Sequence, residues 1–330
     1  MIQGSQNLHS HTYLSDGKMT HRETLDVALA DGCTVVAFTD HDILMPPEIF
    51  NELSKLEHKV KWISGIELST KEGAHIIGLF IDHTNNALVR HCKIVKQSRI
   101  DKATTISENL AKLGFTITAE EVLSKASEGV VAKPHIVETL VSHPENIPTL
   151  ENYIKKFEEA SKTNPELAEA SLDAKEGNSR WGINAYVYPL FLSETAFVPG
   201  VYQDYAGVPD LDGAVSLIRG AGGLAFLAHW HTDRKVFTLE VLESIFKAGR
   251  LDGAETKLGW KDKEKAIDQE KEKKYLELAE LVDRTGVLHS VSIDAHSKED
   301  YEVFTRDEAF ASHSLGILEK IYEKYPDKLS

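Results

Sequence analysis

The stretch HSHTYLSDGKMTHRETLDVALADGCTVVAFTDHD, residues 9–42, decides the fold. Residues 7–12 read as a strand, and Thr20 to Ala30 carries Leu25, Ala28 and Leu29 at helical spacing. Thr34-Val35-Val36-Ala37-Phe38 then returns to a continuous β-prone run. Both runs end in imidazoles and carboxylates: His9-Ser10-His11 with Asp16-Gly17 behind it, and Asp40-His41-Asp42. His9 and His11 are two apart on an extended segment and so point the same way.

The rhythm continues outward. Pro46-Pro47 starts a helix through Leu56, and Val60 to Ile66 and His75 to Ile81 read as strands. From about Asn85 to Lys125 the pattern turns helical and polar, with Ile94, Ile106, Leu110 and Leu113 as its buried stripe. Glu151 to Ala174 is helix-prone, and residues 175–210 read as an irregular connection rich in Gly, Pro, Asn and aromatics. Leu211 to Gly220 (helix), Gly223 to Ala228, Leu251 to Glu255 and Leu288 to Ile293 (strands) restore the alternation. Alternating strands and helices predict an α/β barrel-like domain with a mostly parallel sheet covered on both faces. That domain takes residues 1–99 and 206–330, and a mainly helical insertion takes 100–205.

Composition bounds the function classes. The 330 residues are 42% hydrophobic, ample for a buried core. No apolar run approaches the ~18 residues of a membrane span. The first residues carry neither a basic nor an apolar leader, so a cytoplasmic setting is expected. Cys33 and Cys92 lack a Cys-x-x-Cys partner and read as reduced packing residues. A net charge of −15 argues against a broad grip on duplex nucleic acid. Bound divalent cations reverse the local sign, so a small phosphorylated ligand stays compatible.

Further candidate ligands sit in similar settings. Glu67 ends an apolar run, His229 ends another, and Asp294-Ala295-His296 ends a third. Asp294 and His296 are again two apart, so on a strand they share a face. His75 opens its run and fits less neatly. Parallel α/β folds gather functional groups at the carboxyl ends of strands. Mixed imidazole and carboxylate donors suit Zn, Mn or Fe, and the absence of Cys argues against a closed structural site.

Several pieces occur in one order along the chain: His9-Ser10-His11 with Ser15-Asp16-Gly17, Phe38-Thr39-Asp40-His41-Asp42, Gly65-Ile66-Glu67, His75-Ile76-Ile77-Gly78, Lys133-Pro134-His135, Leu227-Ala228-His229 and Ser292-Ile293-Asp294-Ala295-His296. In these the chain resembles the PHP (polymerase and histidinol phosphatase) phosphoesterases, in particular the stand-alone bacterial branch acting on nucleotides and short oligonucleotides. The resemblance implies a distorted (β/α)7 TIM-like barrel with the helical insertion over its site. It implies two or three divalent ions (Mn, Fe or Zn). His9, His11, Glu67 and Asp294 would hold one. Glu67 would share a second with His75 and His229, and Asp16, His41 and His296 would hold a third. The implied reaction is phosphoester hydrolysis by a metal-bridged hydroxide, on a nucleotide or short oligonucleotide.

Some assignments stay open. Lys133 is expected at the substrate phosphate; His135 is a phosphate contact, a helix cap or a metal ligand. Arg99 is a phosphate contact or a solvated arginine. Asp40 and Asp42 flank His41 and are expected to orient it. His231, in Ala228-His229-Trp230-His231, rivals His229 as a ligand. Trp181 to Tyr205 reads as packing ahead of base stacking, and Lys261 to Lys274 as a solvated helix. His21, His58, His83, His91, His143, His289 and His313 read as structural or surface residues. A small-metabolite phosphatase of the histidinol-phosphate type is the alternative enzyme. A metal-stabilised domain without catalysis is the alternative from another class. Oligomeric state is not readable.

Overall fold

Strands with two apolar faces need cover on both sides, and the fold provides it. The computed structural model describes residues 4–126, 129–203, 207–230, 237–258, 269–302 and 308–329. Among these, one sheet runs in chain order: β1 (Ser5–Asn7), β2 (Cys33–Phe38), β3 (Lys61–Ser69), β4 (His75–Leu79), β5 (Leu224–Leu227), β6 (Gly253–Leu258) and β7 (Leu288–Ser292). β1, β2 and β3 are parallel, β4 is antiparallel to β3 and β5, and β5, β6 and β7 are parallel again. Leu8 N–H donates to Val291 O at 3.2 Å and His11 N–H to Ala295 O at 2.8 Å, which draws the two ends of the sheet into a nearly closed barrel.

Strand alternation sorts side chains between two cores. Ile77, Leu79, Leu224 and Phe226 pack in one cluster with Leu25, Phe38, Leu53 and Ile321. Their neighbours Ile76, Ala225 and Leu227 pack in the other, with Leu211, Ile218, Leu242, Phe246 and Leu278 from the covering helices. This is why the strands read as continuous apolar runs. The helices start on local signals: Thr20 caps His21–Ala30 with Glu23 in a reciprocal box, and Asp210 caps Leu211–Gly220.

The chain divides into two compact units, residues 1–94 with 208–330, and 95–207. The first holds the barrel. The second is built of helices, including Ala119–Lys125, Lys133–Ser142, Ile147–Ser161, Pro165–Trp181 and Asn184–Phe191, around Ile106, Leu110, Val122, Leu140, Leu150, Phe157, Leu190 and Phe191.

Several local expectations change. Regular pairing in β1 stops at Asn7, and residues 8–11 continue as extended chain bonded on both sides. Ile94 is 57% exposed, and Val95, one position on, is buried in its place. Residues 175–210 are not simply irregular, since they hold the end of one helix and all of Asn184–Phe191. Aromatic packing explains part of that composition: Phe191 lies against Phe115 and Tyr153 at 5.4 and 5.3 Å between ring centroids. The Trp181 side chain, Tyr205, and most of Lys261 to Lys274 lie outside the described residues. Cys33 and Cys92 are buried free thiols, and burial pushes the Cys33 thiol up to about 12.

Gly253 opens β6 at a point of close approach. A Cβ there would lie 2.1 Å from Leu288 O and 2.6 Å from the Phe226 ring. Both neighbours belong to the barrel wall. Gly253→Ala is therefore expected to destabilise the fold by about 1–3 kcal/mol through overpacking. A urea titration reads it as a lowered midpoint; an unchanged or raised midpoint would contradict this packing.

Candidate metal centre

The barrel's topology gathers the ligand candidates at one end. β1, β2, β3, β5, β6 and β7 bring their carboxyl ends there. β4 runs the other way, so His75 at its start arrives at the same end. Its awkward position in sequence is the direct result of one antiparallel strand.

Residues 9–11 lie between the ends of β2 and β7. Thr39 N–H donates to Ser10 O at 2.9 Å, and Ala295 N–H donates to His9 O at 3.3 Å. Ser10 turns away to Tyr301, with 2.9 Å between hydroxyls, so His9 and His11 share the opposite side. Their Nε2 atoms come within 2.9 Å of each other. Gly17 makes the next turn possible: a Cβ there would sit 2.4 Å from His11 O. The close turn returns Asp16 to the cluster, with Oδ1 3.5 Å from His11 Nδ1 and 3.4 Å from His296 Nε2.

Glu67 is the centre of the arrangement. Its residue is wholly buried, and its two oxygens face different partners. Oε2 lies 3.1 Å from His9 Nε2, 3.2 Å from His11 Nε2 and 2.9 Å from His41 Nδ1. Oε1 lies 3.0 Å from both His75 Nδ1 and His229 Nε2. Asp294 Oδ1 completes the first set, 3.5 Å from His9 Nε2 and 3.2 Å from His11 Nε2. Among the described residues, three subsets bring their donor atoms within 4.8 Å of one another: His9, His11 and Glu67; His41, Glu67 and His75; and His11, Asp16, His41 and His296.

Burial works against the charges of Glu67, Asp16, Asp294, His9 and His11, yet opposite charges outweigh it at each of these. Burial alone would raise Glu67, but the imidazoles of His41, His9 and His75 hold its carboxyl well below the usual range. Asp16 and Asp294 are held down in the same way, in both cases chiefly by His296. Burial would lower His9, but Glu67, Glu255 and Asp294 raise it to about 9. His11 is raised well above its ordinary value against burial, by Asp294 and Glu67. For His41 burial prevails and the value falls.

The donor set fits divalent metal. Ligands about 2.1 Å from an ion and roughly at right angles lie about 3 Å apart, the spacing that repeats around Glu67. Asp16 Oδ1, His41 Nδ1 and Glu67 Oε2 are buried and make no well-aligned hydrogen bond, although His41 Nδ1 and Glu67 Oε2 lie 2.9 Å apart. Buried polar atoms rarely go unsatisfied, so convergent orphans beside other donors mark where a cation belongs. His296 is prepared for it: Nδ1 donates to Asp294 O at 2.8 Å, leaving Nε2 toward Asp16.

Other assignments fall differently. Asp294 and His296 do not share a strand face, because β7 ends at Ser292 and Asp294 turns with a φ of 46°. Asp294 joins His9 and His11, whereas His296 joins Asp16. Asp40 accepts from Thr12 N–H at 2.7 Å, Thr12 Oγ1 at 2.9 Å and Ser15 Oγ at 2.7 Å, so it fastens the His11–Asp16 turn rather than orienting His41. Asp42 instead accepts from Ser69 N–H and Oγ, both at 3.1 Å, at the end of β3. His231 lies outside the described residues.

The remaining candidates belong to the helical unit. His135 Nδ1 accepts from Ala132 N–H at 2.9 Å, which caps its helix. Arg99 is half-buried rather than solvated, and its Nη1 donates to Val131 O at 3.5 Å. Lys133 Nζ lies 5.3 Å from the centroid of the Tyr202 ring.

Sequence reasoning missed Glu255. This buried residue on β6 accepts from His229 N–H at 2.7 Å through Oε2, and its Oε1 lies 3.0 Å from His9 Nδ1. The available signal was an acidic residue at the end of a predicted strand, the criterion that selected Glu67.

Comparison with known proteins agrees with this architecture. Residues 7–170 match the family model described as PHP domain. A 5′-3′ exoribonuclease of Haemophilus influenzae is 26% identical over 226 residues, 68% of each chain. A 3′,5′-nucleoside bisphosphate phosphatase of Chromobacterium violaceum is 30% identical over 112 residues, covering 33% of this chain and 39% of that one. A Bifidobacterium adolescentis structure, assigned as a metal-dependent phosphoesterase, superposes with a TM-score of 0.63 over 90% of this chain and 89% of that one. At 20% identity, that likeness speaks to the fold.

With His9 raised to about 9, the metal-free site holds a proton at pH 7.5 that must leave when a cation takes Nε2. Zinc binding measured calorimetrically in buffers of different ionisation enthalpy should therefore show net proton release. Release should diminish as pH rises through about 9. Buffer-independent heats at pH 7.5 would contradict it.

Proposed function

The chain belongs to the PHP-domain family, and from that premise we propose that it is a metal-dependent phosphoesterase acting on nucleotides or short oligonucleotides. The observation that carries the reading is the division of Glu67: Oε2 toward His9, His11 and His41, and Oε1 toward His75 and His229. One carboxylate serving two imidazole groups suits a pair of adjacent cations. In this reading His9, His11, Asp294 and Glu67 hold one divalent ion, and Glu67, His75 and His229 hold a second. Asp16, His41 and His296 hold a third. The donors suit Mn, Fe or Zn.

Bound divalent ions supply Lewis-acid activation of water and neutralise charge at the phosphoryl oxygens. The chain's part is placement. Glu67 fixes the separation of its two imidazole groups. Asp40 holds the turn that carries Asp16, through Thr12 and Ser15. His296 keeps its proton on Nδ1 by donating to Asp294 O, which leaves Nε2 free to accept. Burial around Glu67 lowers the local dielectric, which strengthens each charge interaction with a developing anionic transition state. No side-chain nucleophile is required, since activated water suffices.

Substrate class draws on the named relatives, an exoribonuclease and a nucleoside bisphosphate phosphatase. The acidic balance of the chain, −15, favours a short ligand over a long polyanion. A cytoplasmic setting belongs to the same reading, and the buried free thiols Cys33 and Cys92 suit a reducing compartment.

The test is phosphate or nucleotide release by metal-replete protein on a panel. It comprises nucleoside 3′,5′-bisphosphates, nucleoside 5′-monophosphates, short 5′-phosphorylated oligonucleotides and histidinol phosphate. Turnover should concentrate on the nucleotide members and vanish with chelator. Turnover confined to histidinol phosphate would overturn the substrate class, and no release from any member would overturn the enzymatic reading.

A further inference from the structure

We propose that Glu255 is a positioning residue that ties the two imidazole groups of Glu67 together and sets the protonated nitrogen of His9. The inference rests on the metal-binding part of the function proposed above. Nothing in the ligand pattern requires this residue, because its oxygens face donors on two neighbouring ligands.

The geometry is specific. Glu255 Oε1 lies 3.0 Å from His9 Nδ1, and Oε2 accepts the backbone N–H of His229 at 2.7 Å. His9 faces Glu67 Oε2, and His229 faces Glu67 Oε1. One carboxylate therefore spans both groups from behind, while Glu67 spans them from the front. The two rings stack with centroids 5.7 Å apart, so a shift of either is felt by the other. Glu255 is 1% exposed and cannot rely on water to satisfy either oxygen.

The β6 backbone aims the residue there. Glu255 pairs with Ser290 and Lys257 with Val291, so the register shifts between Glu255 and Lys257. Such an irregularity re-aims a side chain at the end of a strand. Ala254, one position earlier, packs into the outer core, and Thr256, one position later, bonds to His289. Glu255 is left on the face shared by the ligands.

The chemistry explains why a carboxylate is needed. The backbone N–H of His229 can only donate. His9 must also donate from Nδ1 if Nε2 is to remain a ligand. Two donors demand two acceptor oxygens, which glutamate has and glutamine lacks. In Glu255→Gln the carbonyl oxygen would stay with His229 N–H and the NH2 would face His9 Nδ1. That contact favours the opposite His9 tautomer, with the proton on Nε2. A cation taking Nε2 would leave the remaining ring proton on Nδ1, donor against donor with that NH2, so binding there is opposed. A near-isosteric change would thus disable His9 while the packing persists.

The experiment compares wild type, E255Q and E255D by competitive titration of Zn(II) against a chromogenic chelator. Ring 15N shifts of His9 are recorded in the zinc-loaded proteins, with thermal melting of the metal-free proteins alongside. E255Q is expected to melt near wild type, to bind zinc about 10- to 100-fold more weakly, and to lose the Nδ1-protonated signature of His9. E255D keeps two acceptor oxygens and should retain that signature. Wild-type affinity and stoichiometry in E255Q overturn the proposal alone. So does a His9 in wild type that carries no proton on Nδ1, or an E255Q affinity loss with the His9 signature intact. A wild type that takes up no zinc overturns the metal reading and this proposal together, and is distinguished by needing no variant.

Discussion

A carboxylate removed from water must be neutralised where it sits. Glu67 is wholly buried at the end of the barrel, and burial alone would drive its carboxyl toward protonation. Imidazoles placed about 3 Å from both oxygens reverse that tendency. Each of those imidazoles depends on a different part of the chain: the segment after β1, the end of β2, the start of β4 and the end of β5. The charge balance at Glu67 is therefore a constraint on the whole barrel.

The barrel meets it by topology. A run of parallel strands delivers ligands from their carboxyl ends, and the single reversal at β4 delivers His75 from an amino end. Closure between the segments after β1 and β7 brings His9 and His11 beside Asp294. Hydrogen bonds behind the ligands supply the remaining order. Asp40 secures the turn to Asp16, Asp294 O holds His296, and Glu255 links His9 with His229. Asp294 pays for its position with a left-handed backbone, a strain of the kind that collects at functional sites.

Much of this was legible in the chain. Period-2 spacing placed His9 and His11 together, and the alternation of apolar runs with helical patterns pointed to the barrel. What stayed hidden depended on contacts between distant segments. His75 looked misplaced because strand direction is set by pairing partners. Asp294 and His296 looked like face-mates because nothing local signals that β7 ends at Ser292. Asp40 sits next to His41 in sequence but spends its oxygens on Thr12 and Ser15. Glu255 was passed over because a glutamate at a strand end is ordinarily solvated, and its partners lie far away along the chain. Ile94 and Val95 exchanged places, an error of one residue on a helix, where adjacent positions lie about 100° apart.

The most direct test is zinc stoichiometry and affinity of Glu67→Gln beside His75→Ala, both checked for native melting. If one carboxylate serves two cations, Glu67→Gln loses binding in both groups, whereas His75→Ala loses only the ion on the Oε1 side. Equal losses from the two variants, or a Glu67→Gln protein that binds zinc as wild type does, would contradict the shared carboxylate.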